Sequence, residues 1–294
     1  METIPFGDYR SDARRWITIF DTEFYPDTLE SALAKYAPVL GAFQQLADEA
    51  PSSADLLRDI QAAPKEVRGQ LLRVFRKYVS PDTSVEMLKR VRKTEELITD
   101  FGDRFRSIDE VRLKLIERPS PDEALIALLA EYGERGKKGY ELTEAFFLWF
   151  EAEFGEQGWT VVGPLGAGRD IDLTDVIAGY PTPTPADFVI SDPGGNVRVV
   201  GFARYDSDRG GAQEDDRISG NERRLREILR FEPTEGMLPV KVVFLNDGPG
   251  LLLGSMWTDY AAIEKGGEGR TLVTTLKMAQ AGRFSVNWIL SAES

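Results

Sequence analysis

At Arg135-Gly-Lys-Lys-Gly139 the hydrophobic pattern of the chain changes period. No single regular architecture satisfies both sides of that change. Before it, apolar residues recur every three or four positions. Leu29, Leu33, Tyr36, Leu40 and Phe43 form one such stripe, and Val67, Leu71, Leu72 and Phe75 form another. This is the spacing of helices that bury one face. The start signals agree. Pro64 and Pro81 stand where first-turn prolines belong, and Ser107 with Glu110 makes a capping box. Ser120-Pro121-Asp122-Glu123 opens a further apolar run. Residues 1–135 therefore read as an all-helical domain, with no internal repeat.

After the boundary, 140–154 is one amphipathic helix (YELTEAFFLWFEAEF) and then strand signals begin. Residues 159–162, 185–190 and 197–205 read as strands. The last two are joined by the turn composition Ser191-Asp-Pro-Gly-Gly-Asn196 into a hairpin. Residues 221–231 read as helix, 240–245 as strand, 255–265 as helix and 284–290 as a late strand, while 270–278 fits either class. The fold class is α/β: residues 136–294 form a mixed sheet flanked by helices, beside the N-terminal all-helical domain.

The chain has no Cys and no His among its 294 residues. That removes thiol nucleophiles, Ser-His-Asp triads, imidazole bases and nitrogen or sulfur metal sites. Chemistry here falls to carboxylates, Lys, Arg, Ser, Thr or Tyr, and any metal is a hard, oxygen-liking ion such as Mg²⁺. The net charge of −13 argues against a whole-molecule electrostatic grip on DNA and leaves room for a local basic patch. No apolar run is long enough to span a membrane, and the start of the chain lacks the pattern of a signal peptide. The expected location is the cytoplasm.

The densest cluster of chemistry-bearing residues is Pro185-Ala-Asp187, a turn, and then the run from Gly201 to Arg217 (GFARYDSDRGGAQEDDR), preceded by a helix with Glu141 and Glu144. This resembles the PD-(D/E)xK nuclease superfamily, to which most Type II restriction endonucleases belong, over Tyr140 to Phe244. The resemblance implies an early helix carrying a Glu, a hairpin strand opening at an Asp after Pro, and an acid-x-Lys on the next strand. It implies a restriction-endonuclease-like sheet and Mg²⁺ as cofactor. Asp187 would hold the metal, Glu144 would reach it through water, and Arg204 would replace the usual Lys. Arg204 follows Asp187 by a hairpin's length, but two residues before it stands Phe202 instead of an acid. The second metal carboxylate is then Asp206, Asp208, or one from Arg169-Asp-Ile-Asp172. For Asp170 and Asp172, turn or capping roles weigh equally, and Glu141 and Glu144 by default form an exposed polar face.

Two further features bear on a nucleic-acid partner. The polar, glycine-broken run 204–221 carries Arg209, Gln213, Arg217 and Asn221, donors that suit base edges. Its Gly210-Gly211 pair lets backbone N–H groups approach a phosphate. In the helical domain Lys65, Arg68, Arg73, Arg76 and Lys77 with Lys89, Arg90, Arg92 and Lys93 form a local basic excess. Arg73 and Lys77 there are candidate phosphate contacts, against a plain solvated helix face. Gly163-Pro-Leu-Gly-Ala-Gly168 lacks the Lys and Ser/Thr of a P-loop and is a weak phosphate signal. The leading expectation is a Mg²⁺-dependent, site-specific deoxyribonuclease acting on double-stranded DNA as a homodimer, with the helical domain clamping DNA or dimerising. The alternatives are a catalytically inactive, sequence-specific DNA-binding protein on a nuclease scaffold, and an acidic DNA mimic.

Overall fold

The computed structural model describes residues 4–134, 137–166, 168–207, 212–231 and 239–291. The chain divides into two compact units, residues 22–135 and residues 1–21 with 136–294.

The first unit is helical: α2 Asp27–Glu49, α3 Ser53–Ala62, α4 Lys65–Tyr78, α5 Val85–Leu88, α6 Thr94–Phe101, α7 Ile108–Ile116 and α8 Glu123–Glu134, preceded in the chain by α1 Ala13–Trp16 of the other unit. Capping explains the starts. Ser52, Ser84 and Ser107 accept from the main-chain N–H groups of Asp55, Met87 and Glu110. Asp122, rather than Ser120, caps α8 by accepting from Leu125 N–H at 3.1 Å. Arg112 closes the end of α2 by donating to the carbonyls of Ala47, Asp48 and Ala50. Tyr36, Phe43, Leu56, Ile60, Leu72, Phe75 and Ile126 make the core, as the three-four spacing requires.

The second unit is mixed α/β. After α9 Lys137–Phe154 come β1 Thr160–Val162, β2 Ile171–Asp172, α10 Leu173–Val176, β3 Pro185–Ala186, β4 Phe188–Ser191, β5 Val197–Tyr205, α11 Ala212–Leu229, β6 Lys241–Asp247, α12 Met256–Gly266, β7 Thr271–Thr274, α13 Leu276–Met278 and α14 Val286–Leu290. Among the described residues the main sheet runs β1-β4-β5-β6-β7, and β2-β3 form a small second sheet. β1, β4 and β5 are mutually antiparallel, whereas β6 runs parallel to β5 and β7 parallel to β6. The β4–β5 turn is tied by Asp192, which accepts from Gly194 and Asn196 N–H, and Gly195 supplies its positive φ.

Alternation along the strands separates two cores. Phe188, Ile190, Val199, Val243, Leu245 and Leu272 face α9, whose Leu142, Phe146, Phe147 and Phe150 cover them. Val189, Val200, Phe202, Val242, Phe244 and Val273 face α11 and α12. β6 is buried along its whole length, as a parallel strand covered on both faces must be.

Four local expectations are corrected. Residues 4–21 belong to the α/β unit and not to the helical one. Phe6 is fully buried and stacks on Trp257 at 4.4 Å, Thr18 N–H donates to Asp247 at 2.8 Å, and Thr275 donates to the Trp16 carbonyl at 2.7 Å. These are contacts distant in sequence, which no local pattern announces. Residues 286–290 are helix and not strand, because Ser285 caps them by accepting from Trp288 N–H. The helix expected from 221 starts earlier, since α11 already begins at Ala212. The strand expected over 185–190 breaks at Asp187 into β3 and β4. Among the described residues no helix is long and apolar enough to cross a membrane.

Candidate active site

Asp187 stands where one strand divides between two sheets. Before it, β3 pairs with β2, with Ile171 opposite Ala186. After it, β4 pairs with β5, with Phe188 opposite Gly201. Asp187 N–H donates to the Gly201 carbonyl at 3.0 Å, and its Oδ2 accepts from Ala203 N–H at 2.8 Å. Oδ1 has no hydrogen-bond partner among the described residues. Two glycines permit this crowding. A Cβ on Gly201 would fall within the Phe188 ring, and one on Gly163 would meet the Asp187 carbonyl and the Phe147 ring. For the segment 163–168, close packing against Asp187 thus accounts for its first glycine.

Asp170 directly precedes β2, so the β2–β3 pairing carries it toward Asp187. The two carboxylates repel, and Arg224 of α11 attracts Asp187. Burial, then the Asp170 charge, lift the Asp187 carboxyl above the ordinary carboxylate range. The Ala203 N–H and Arg224 oppose that shift. The Arg224 guanidinium lies over the Phe202 ring, 5.4 Å from its centroid. A second carboxylate and a guanidinium thus act on Asp187 at the β3–β4 break. Asp172, by contrast, is a cap. Its Oδ1 accepts from Thr174 N–H, Thr174 Oγ1 and Thr184 N–H.

Several expected site residues lie elsewhere. Arg204 donates from Nε to Asp206 Oδ1 at 2.5 Å, which ties it to its own strand end. The cation that acts on Asp187 is Arg224, on the helix after the strands that carry the motif. Asp206 is 3% exposed and serves that ion pair. The β4–β5 register puts Asp187 level with Phe202, four positions before Asp206, which is about 13 Å at the rise of a strand. Asp187 and Asp206 therefore do not form the expected metal pair. Glu144 is exposed on the outer side of α9, between the buried Leu142 and Phe146, and α9 covers the sheet face opposite α11. Helical geometry turns it away from the sheet, so it does not join Asp187.

Asn221 lies on α11 and donates to Tyr260 OH at 3.5 Å, a long contact. Gln213 and Arg217 are also on α11, at four-residue intervals from Asn221, and their side chains lie outside the described residues. Arg209, Gly210 and Gly211 lie outside them altogether, as does Asp208. In the helical unit the basic stripe is largely engaged at home. Arg73 donates to Gln70, Arg68 to the Ala63 carbonyl and Arg76 to the Thr83 carbonyl, while Lys89 and Lys93 pair with Glu86 and Glu96. Lys77 is exposed and lines a cavity of about 350 Å³ with Arg106, Lys114 and Arg118.

Among the described residues no cluster of three or more carboxylates stands ready for a metal ion. The Asp170–Asp187 pair is an all-oxygen donor set whose mutual repulsion a dication would relieve. It fits Mg²⁺, which takes one or two carboxylates and keeps several waters. Comparisons of the chain with protein families, with curated proteins and with solved structures find no match.

Proposed function

We propose that this chain is a Mg²⁺-dependent endonuclease of the restriction type, cleaving double-stranded DNA at the β3–β4 break. The observation that carries the reading is the placement of Asp187 at the β3–β4 break, its Oδ2 held by Ala203 N–H and Asp170 brought toward it by the β2–β3 pairing. The chain order supports it: a helix, a hairpin strand opening at an aspartate after proline, and the next strand entering the same site follow the sequence implied by the PD-(D/E)xK likeness.

In this reading Asp187 and Asp170 would hold Mg²⁺, and the ion would supply an activated water for hydrolysis of a phosphodiester. The Ala203 N–H fixes one Asp187 oxygen, and the other would be the one to hold the ion. Asp170, directly before β2, would share the charge. Arg224, supported by the Phe202 ring, presents a planar fork to two phosphate oxygens. A guanidinium stays protonated, so Arg224 positions and stabilises charge and takes no part as a base. A two-fold homodimer would match palindromic sites.

A second reading is a DNA-binding protein without catalysis on the same scaffold. It is favoured by Phe202, 5% exposed, which fills the strand position where the motif expects an acid. Supercoiled plasmid incubated with the full chain and Mg²⁺ separates the two. The nuclease gives discrete linear products that vanish in Asp187→Asn. A mobility shift with no product from either protein would leave the binder.

A further inference from the structure

The α/β unit contains a second basic feature, far from the sequence motif. A cavity of about 710 Å³ is lined by Arg10, Arg14 and Arg15 from the start of the chain and by Pro249, Leu252 and Leu253 after β6. One lining residue, Asp12, carries negative charge, and its Oδ1 is engaged by Trp16 Nε1 at 3.1 Å. No carboxylate pairs with the three arginines among the described residues. In a chain of net charge −13 this is a local excess of cation.

Two of the three arginines lie over aromatic rings. Arg10 lies over the Trp257 ring at 6.0 Å and Arg15 over the Trp16 ring at 5.3 Å. Trp257 is itself stacked on Phe6 and donates to the Phe6 carbonyl at 3.2 Å, and Trp16 packs edge-on against Tyr9 at 5.1 Å. A guanidinium stacked on a ring keeps its in-plane N–H groups for an acceptor. The support lowers the entropy lost when a ligand binds. Planar, always-charged forks in an open cavity suit phosphate oxygens.

The cavity also has a suitable address. Pro249 follows β6, so the cavity lies beyond the carboxyl ends of the parallel strands β5 and β6. That is the end of an α/β sheet where ligands are bound. Asp187 sits beside the carboxyl-terminal half of β5, held by Ala203 N–H.

We infer that Arg10, Arg14 and Arg15 form a phosphate-contacting cleft that holds the backbone of the DNA duplex whose cleavage is assigned to Asp187. The inference rests on the DNA reading above and assigns the N-terminal segment a role in it. The ligand chemistry is a run of phosphodiesters, and the contact is independent of base sequence.

The test is fluorescence anisotropy of a fluorescein-labelled DNA duplex with the full-length Asp187→Asn chain over a KCl series with Ca²⁺. Each phosphate contact removed lowers the slope of log Kd against log salt by about 0.9. Adding Arg14→Gln and Arg15→Gln is expected to reduce the slope by about 2, and Arg10→Gln by about 1 more. The corresponding lysine substitutions should retain the slope, and unchanged far-ultraviolet circular dichroism and melting should accompany every variant. A glutamine triple variant with the parent slope overturns the inference and leaves the DNA reading standing. Absence of duplex binding by the parent at any salt overturns both. Saturable binding of inorganic phosphate that the glutamine variants lose, with duplex binding unaltered, would assign the cavity to a free anion and overturn the backbone contact.

Discussion

The Asp187 carboxylate accepts a hydrogen bond from the Ala203 main-chain N–H at 2.8 Å. A side chain thereby serves an N–H of β5 beyond the point where β4 begins. The arrangement follows from the break between β3 and β4. The chain before Asp187 turns to pair with β2, and the N–H of Ala203 needs another acceptor. The same break leaves the carboxylate partly buried and within the influence of Asp170. A structural need of the sheet and a charged site thus share one residue.

This strain has a sign that thermal denaturation can read. The Asp187 carboxyl is raised in the folded chain, so its contribution to stability is full below the ordinary carboxylate pKa near 3.8 and is lost as pH rises through the raised value. Asp187→Asn removes the buried charge and keeps an acceptor for Ala203 N–H. Its melting midpoint at pH 7 is expected to exceed the wild-type value by about 2–4 °C per kcal/mol gained. The advantage should shrink as pH falls below the carboxylate range. A lower midpoint for Asp187→Asn at pH 7 would show that the charge is compensated.

The two arginines near β5 are expected to separate by readout. Arg224→Gln removes the cation that acts on Asp187 and should lower kcat on plasmid DNA by about 10²-fold, with little change in melting. Arg204→Gln takes the guanidinium from the buried Asp206 and should cost about 1–3 kcal/mol of stability. Glu144→Gln, on the exposed side of α9, should alter neither quantity. Loss of kcat in Arg204→Gln without loss of stability would return Arg204 to the site.

The helical unit carries a pH dependence of the opposite sign. Asp122 is 8% exposed and accepts from Arg118 Nε at 2.9 Å and from Leu125 N–H at 3.1 Å. Its Arg118 partner, and secondarily the N–H groups at the start of α8, hold its carboxyl below the ordinary range. The resulting stability is present above about pH 4 and is lost as pH falls through the lowered pKa. The midpoint gap between wild type and Asp122→Asn should therefore be widest near neutrality and close on acidification. A gap that persists at low pH would deny the ion pair its role.

Much of this molecule was legible locally. The period change at residues 135–139 marks one edge of the two units, and β5 spans 197–205 as the alternation of VRVVGFARY predicts. The 140–154 helix buries Phe146 and Phe150, because a continuous apolar stripe has to be covered. The acids of Arg169-Asp-Ile-Asp172 are visible in the sequence, but only the β2–β3 pairing sets where Asp170 lies. The place of Arg224 was not legible, because only the packing of α11 on the sheet brings it over Phe202.

Periodicity, caps and turns depend on neighbours within a few positions, and the absence of thiol and imidazole chemistry follows from composition alone. Tertiary structure alone decided which charges meet. It carried Asp170 to Asp187 through the β2–β3 pair, bound Arg204 to Asp206, turned Glu144 outward and drew residues 6–18 onto the α/β core. Hydrophobic pattern constrains which face of an element is buried. The partner of a charge depends on strand register and on chain segments hundreds of residues apart, where a shift of one position moves a side chain to the other face of the sheet.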